Sequence, residues 1–321
     1  MSRLKVLALT QYDRMPNWDL FYQELGRHVD LDFKKLNKKQ QVNLKKYFKS
    51  IDVSSYDRIF LELRFKQQLR QRHFLGGLPN LVEYETDANQ NYKKGGKYEG
   101  AWSKYYSSLT SLRVISTGFN VSNRLRREGF DARFVPKGYN ESEIKCLNKK
   151  RDIEVGFIGR VEKAAYDKRK EFLDECVEKL GLKLIRTEPG EAYNKMLNRI
   201  RFFVSADHGL GEYMIKNYEA MAAGCVLCCY RQGNGEEEAL GLRDMENVVL
   251  YGDASELQEK LAIVRADKSL EDAIAKSGRQ LAENNFGLSC LAEKVSEELI
   301  EPVIKTREQS LSERLLAYIG K

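Results

Sequence analysis

Two short runs hold residue types suited to gripping a diphosphate. The first is Val155-Gly156-Phe157-Ile158-Gly159-Arg160, followed by Lys163 and by Lys168-Arg169-Lys170. An apolar run stops at a glycine, a cation-bearing loop follows, and a helical pattern starts near Asp167. That order supplies close backbone approach, the free N–H groups of a helix start, and positive side chains. Neither GxxxxGK[ST] nor GxGxxG is present, so the run is neither a P-loop nor a dinucleotide fingerprint. A solvated basic loop would have the same composition. The second run is Ser205-Ala-Asp207-His208-Gly209-Leu210-Gly211-Glu212, leading to Lys216, Asn217 and Glu219 and ending at Gly224. Glu212 and Lys216 are four apart, and Glu212 and Glu219 seven, so on or at the mouth of a helix all three can share a face. A carboxylate at Glu219 can accept two hydrogen bonds from a ribose. The competing reading is a surface salt-bridge stripe, which contributes little.

The elements that must carry these runs alternate between strand and helix. Leu4 to Leu9, Val29 to Phe33, Tyr56 to Leu63, Asn80 to Tyr84, Leu112 to Ile115 and Ala132 to Val135 read as strands. Asn120 to Glu128 reads as a helix stopped by Gly129. Residues 137–151 turn polar and lose apolar periodicity, as an interdomain linker does. The alternation then restarts. Strands are expected at Ile153–Ile158, Leu182–Ile185, Ile200–Val204, Cys225–Tyr230 and Asn247–Tyr251, and helices at Lys170–Leu180, Met214–Ala223 and Ser255–Val264. Alternating strands and helices imply parallel sheets covered on both faces. The expectation is an α/β chain with two Rossmann-like domains. The first spans 1–136, the linker 137–151, the second 152–296, and a helical segment, 297–321, packs back on the first. Ligands in such sheets sit at the carboxyl ends of the strands.

Composition narrows the partners without naming them. The 321 residues are 31% charged and 42% hydrophobic, an ordinary globular balance for two domains. No apolar run is long enough to span a bilayer, and the first residues lack a signal-peptide pattern, so a cytoplasmic chain is expected. The formal net charge of +7 suits a polyanionic partner. Six cysteines follow no disulfide framework, and Cys225-Val-Leu-Cys228-Cys229 lacks the second pair a zinc site needs. Those cysteines are expected as reduced, buried strand residues, and no metal ligand set is expected.

The run Asn217-Tyr-Glu219-Ala-Met-Ala-Ala-Gly224 resembles the EAxAxG segment of group 1 glycosyltransferases, and Lys216-Asn-Tyr-Glu219-Ala is similar to a segment of their spore-maturation-type branch. Phe157-Ile-Gly159-Arg160 and Glu246-Asn-Val-Val-Leu-Tyr251 extend the likeness, which covers roughly residues 112 to 290. The resemblance implies a GT-B architecture, two Rossmann-like domains facing a central cleft, with the nucleotide-sugar donor held mainly by the second. It implies ribose contact at Glu219 and diphosphate contact at Arg160 with Lys168 or Arg169. Gly209, Leu210, Gly211 and Glu212 fall in the loop that approaches donor sugar and phosphate. Lys216 and Asn217 complete the donor set. One departure stands out. The family's Glu-x7-Glu pattern meets Gly211 eight residues before Glu219, with Glu212 one place late. Retention or inversion therefore stays open.

The first domain should then hold the acceptor. Asp13, in Thr10-Gln-Tyr-Asp13, and Asp87, in Glu83-Tyr-Glu85-Thr-Asp87, follow strands and are the candidate bases. His208 is the third catalytic candidate, as a hydrogen-bond donor to sugar or phosphate. No separate cofactor is expected, since a UDP- or GDP-type sugar is itself a substrate. The expected activity is metal-independent transfer to a glycan, a lipid-linked saccharide or a nucleic acid. The alternatives are a sugar-nucleotide epimerase and a non-catalytic nucleotide or polyanion binder. The basic stretch from Lys34 to Lys49 reads first as a solvated face, next as peripheral contact with the inner, anionic face of the membrane, and last as a nucleic-acid surface.

Overall fold

The computed structural model describes residues 3–13, 18–161 and 167–304, without the side chains of 167 and 168. Lys163, the Lys168 side chain and residues 305–321 lie outside the described residues. The chain forms two compact units. One comprises residues 1–136 and the segment from Leu291 onward, the other Lys137–Cys290.

The first unit is built on strands β1 (Lys5–Gln11), β2 (Asp30–Leu36), β3 (Arg58–Glu62), β4 (Leu81–Glu85), β5 (Leu112–Ser116) and β6 (Asp131–Phe134). All pair in parallel, in the order β2-β1-β3-β4-β5-β6. The central strands β3, β4 and β5 are buried at every residue. Burial on both faces makes them rich in apolar residues, which leaves them legible as strands despite the charged residues they carry. The edge strand β2 is mostly open to solvent. One face of the sheet packs Leu61, Leu81 and Val114 against Leu75, Trp102, Tyr105 and Leu125.

Buried carboxylates interrupt this apolar interior. Glu83 accepts a hydrogen bond from Gln68 Nε2 at 2.7 Å, and burial together with Glu85 pushes its pKa well above the usual carboxylate range. Glu85 accepts from the Trp102 indole and from the Asp87 backbone N–H, each at 2.7 Å. Glu62 accepts from the Thr10 hydroxyl.

Helix Leu288–Ile300 brings the chain back to this unit. Its last carbonyls, like those at every helix end, need donors from elsewhere. Arg113, wholly buried and paired with Asp131 at 2.9 Å, donates to the carbonyls of Glu298, Glu301 and Pro302 at 2.5–2.9 Å. Arg58 donates to those of Ile300 and Glu301.

The second unit holds β7 (Ile153–Ile158), β8 (Lys183–Ile185), β9 (Ile200–Val204), β10 (Val226–Tyr230) and β11 (Val249–Tyr251). These are parallel in the order β11-β10-β9-β7-β8. Helices Asp167–Leu180, Ile215–Ala222, Ala254–Ala266 and Lys268–Asn285 connect or cover them. Cys176, Cys225, Cys228 and Cys229 are buried free thiols, and burial pushes the Cys225 thiol up to about 11.

Residues 137–151, read above as a linker, lie against the second unit. Tyr139 N–H donates to Phe286 O at 2.8 Å. Lys145 N–H and Leu147 N–H donate to the Asn194 and Asn198 side chains. Arg151 donates to Ile200 O and Ala223 O at 2.6 and 2.5 Å. Both backbone and side-chain groups of the second unit pair with the stretch, so it is ordered without apolar periodicity. The chain passes between units at Pro136–Lys137 and again inside helix Leu288–Ile300.

Each sheet has one point where successive strands depart in opposite directions. In the first unit it lies between β1 and β3, and in the second between β7 and β9. Such switch points open a crevice at the strand carboxyl ends.

Candidate functional site

In the second unit the switch point is flanked by Gly159, just past β7, and by Ser205–Asp207, just past β9. Helix Ile215–Ala222 follows β9, and its second residue, Lys216, reaches back over the crevice. Lys216 Nζ donates to Ile158 O at 2.5 Å. A Cβ at position 159 would lie 2.6 Å from that ammonium and 2.9 Å from the Phe157 ring. A side chain at 159 would therefore force the Lys216 ammonium and the Phe157 ring to shift. Burial pulls the Lys216 pKa below the usual lysine range. Arg169 and Arg186 act in the same direction, while Glu219 and Asp207 oppose it.

The loop between β9 and that helix turns on two glycines. Gly209 and Gly211 have φ of +72° and +70°, a region that disfavours any side chain. Asp207 is fully buried and organises the loop. Its carboxylate accepts from Asn217 Nδ2 at 2.6 Å and from Met214 N–H at 3.3 Å, which caps the helix. Burial raises its pKa, and the Asn217 bond lowers it. Gln232, after β10, clamps the loop from the other side. It accepts from Gly211 N–H at 3.0 Å and donates to Asp207 O at 3.1 Å. The Gln232 turn is held in its own right by the buried Glu237 carboxylate, which accepts from Gln232 N–H, Gly233 N–H and the Tyr213 hydroxyl.

The sequence-derived donor residues distribute unevenly over this frame. Gly159, Lys216, Gly209, Leu210 and Gly211 border the switch point. Glu219, one turn after Lys216, is half-buried and accepts from the Tyr193 hydroxyl at 2.6 Å. Burial raises its pKa; the Tyr193 bond and Lys216 draw it back down. Glu212 departs from the shared-face expectation. The helix starts only at Ile215, and Glu212 turns instead into a buried ion pair with Lys137 at 3.0 Å. Arg160 is exposed beside Gly159. Arg169 is buried and donates to Ala206 O at 2.9 Å, so it braces the β9 end. Asn217 is committed to Asp207. The His208 ring packs between Phe172 and Tyr230, with centroids 4.3 and 4.1 Å away. Asp207, Gln232, Glu237 and Tyr193 were not singled out from the sequence. Asp207 lay within the quoted run, and the other three carry no spacing signal.

In the first unit Asp13 and Asp87 do not come together. Asp13 follows β1 and pairs with Arg64, which follows β3, at 2.6 Å, so this ion pair bridges the first unit's switch point. Asp87 is exposed past β4, beyond β3 from β1, with its N–H bound to Glu85. Among the described residues no group of three or more His, Cys, Asp and Glu side chains is placed to hold a metal ion.

Residues 144–294, nearly all of the second unit, match the family described as glycosyl transferase-like. The fold over most of the chain is that of Anabaena HepE, solved with UDP and glucose. The TM-score is 0.65 at 12% identity, covering 93% of this chain and all of that one. By that match the second unit is glycosyl transferase-like, and by its architecture the chain has the GT-B fold. The GT-B fold recurs in sucrose-phosphate synthase from Thermosynechococcus elongatus (TM-score 0.61, 12% identity, 92% of this chain and 98% of that one). It recurs again in a glycosyltransferase from Rickettsia africae (TM-score 0.60, 12% identity, 94% and 100%). No curated protein sequence matches the chain. The matched region contains Gly159, Lys216 and Glu219 together, whereas Asp13 and Asp87 lie outside it.

Proposed function

We propose that this glycosyltransferase uses a UDP-sugar donor, held by the second unit at the β7–β9 switch point, and that residues of the first unit bind the acceptor. The observation that carries the reading is the Lys216 ammonium lying over Gly159, beside a loop shaped by Gly209 and Gly211. Anabaena HepE, of the same fold, was solved with UDP-glucose, which supports the UDP choice.

As the sugar leaves, negative charge grows on the departing diphosphate. Lys216 and Arg160 offset it, and prepositioned cations stabilise such charge with no reorganisation at the moment of reaction. N–H groups in the first turn of helix Ile215–Ala222 add to this. Glu219, oriented by Tyr193, accepts the ribose hydroxyls. These side chains do the work without a metal. On the acceptor side Asp13 takes the hydroxyl proton. It stands at the first unit's switch point, within 2.6 Å of Arg64, which orients it.

A panel of UDP, GDP, dTDP, ADP and CMP sugars, read by thermal unfolding and by nucleotide release with and without chelator, tests this. A ligand at 100 times its Kd stabilises by about 2.7 kcal/mol, a readable shift. Stabilisation and slow hydrolytic release confined to UDP-sugars, unchanged by chelator, are expected. Binding without release from any donor would refute catalysis, and loss of binding with chelator would refute the metal-free grip.

A further inference from the structure

The densest cationic run in the chain belongs to the first unit, which holds none of the donor residues. Residues 33–51 contain seven lysines and no acid, a charge as large as the +7 excess of the whole chain. The edge strand β2 feeds this run into two short helices, Lys38–Val42 and Leu44–Phe48. Their inner face is Gln41, Leu44 and Phe48, all buried. Gln41 donates to Leu36 O at 3.0 Å. Gln71 donates to Gln41 O at 2.8 Å and accepts from Leu44 N–H at 2.6 Å. The segment is thus fastened through glutamines, which leaves its lysines outward.

The outward face is mixed. Lys38, Lys39, Lys46 and Lys49 are exposed, and Val42 among them is 56% exposed. Tyr12, 71% exposed, is tied to the same edge by its N–H to Leu36 O at 2.9 Å. Lys34, Lys35 and Lys38 have acidic neighbours in Asp32, Asp19 and Asp13. Among the described residues Lys39, Lys46 and Lys49 have no ion-pair partner. Lysines on an edge strand guard against sheet-to-sheet pairing, and that accounts for Lys34 and Lys35. It does not account for the helix lysines or for Val42.

We propose that this face docks the protein on an anionic lipid bilayer. Two features favour a bilayer over a nucleic acid. All seven cations are lysines, which act as point charges toward a diffuse anionic surface. Reading phosphate geometry draws on arginine forks, and the run has none. Val42 and Tyr12 place apolar surface between the charges, where an interface accepts it and a phosphodiester backbone does not. Contact is peripheral, since no helix among the described residues is long and apolar enough to cross a membrane. The inference stands apart from the donor reading.

The test is flotation of the full chain with vesicles of phosphatidylcholine alone or mixed with phosphatidylglycerol, at low and raised salt. Duplex DNA is the competitor. Binding only to the mixed vesicles, weakened by salt, is expected. Each lysine near such a surface is worth on the order of fivefold, so Lys39→Gln/Lys46→Gln/Lys49→Gln should bind on the order of 100-fold more weakly. Val42→Asp should also weaken binding, and both variants should unfold at the wild-type temperature. No partition to mixed vesicles, equal partition to both kinds, wild-type binding by the triple variant, or displacement by DNA would each overturn the proposal.

Discussion

Gly159→Ala isolates the feature on which the donor reading depends. The new Cβ would meet the Lys216 ammonium at 2.6 Å and the Phe157 ring at 2.9 Å. Real carbon–nitrogen contacts sit near 3.5 Å or more, so Lys216 must retreat by about 1 Å. That retreat breaks its bond to Ile158 O. A displacement of this size at a positioned group costs on the order of 100-fold in rate. Removing the ammonium altogether, as in Lys216→Met, forfeits a hydrogen bond to a charged group, about 1.5–3 kcal/mol or roughly 10- to 100-fold in donor affinity. If the glycine serves the lysine, the two losses are one loss counted twice. The double variant should then bind the UDP-sugar as weakly as Lys216→Met alone. The Phe157 contact persists in both backgrounds. It should therefore lower stability by about 1–3 kcal/mol in each, as overpacking does. Donor titration by calorimetry and denaturant unfolding separate the two effects. Additive donor losses, or wild-type affinity in Gly159→Ala, would refute the reasoning.

Four further outcomes are expected. Donor affinity should be highest where Lys216 is protonated. Its pKa lies below the usual lysine range, so affinity should fall as pH rises through it, and Lys216→Met should abolish that limb of the titration. Gln232→Ala unclamps the Gly211 loop while leaving the helices untouched. It should raise the donor KM about tenfold, the equivalent of a hydrogen bond or two, with little change in unfolding temperature. Arg113→Met leaves Asp131 with Arg133 as its remaining cation and leaves the Glu298 and Pro302 carbonyls without the Arg113 donor, while Glu301 O keeps Arg58. A stability loss of about 2–3 kcal/mol should appear in denaturant unfolding. Asp13→Asn should depress transfer far more than UDP-sugar hydrolysis, whereas Asp87→Asn should leave both within about twofold; the reverse pattern would move the base to β4.

How much of this was legible in the sequence depended on which physical signal each part leaves. The eleven strands among the described residues are expected nearly all within two residues of their ends, the covered ones from their largely apolar runs and the solvent-edged β2 from its alternation. Short helices such as Glu191–Leu197 and Glu236–Leu240 escaped, being too brief to display a period. The buried carboxylates escaped for a different reason. Glu62, Glu83 and Glu85 look like solvent-facing strand positions, and only the partners Thr10, Gln68 and Trp102, fetched from other elements, make their burial affordable.

The site shows where spacing arguments hold and where they stop. An i, i+4 relation between Glu212 and Lys216 has force only if both residues belong to one helix. Asp207 decides that they do not. By accepting from Met214 N–H it sets the helix start beyond Glu212. Glu212 is then free to pair with Lys137, and Lys216 stands in the first turn, aimed at a carbonyl 58 residues earlier. The likeness around Glu219 rests on Glu219-Ala-Met-Ala, the end of a helix whose small residues are buried and pack closely. The long-range pairing of Lys216 with the β7 terminus leaves only one trace in the sequence, the glycine at 159. In the sequence alone that glycine reads as room for phosphate. In the folded chain it is first of all room for the lysine that would meet the phosphate, so the two readings stand or fall with the same double variant.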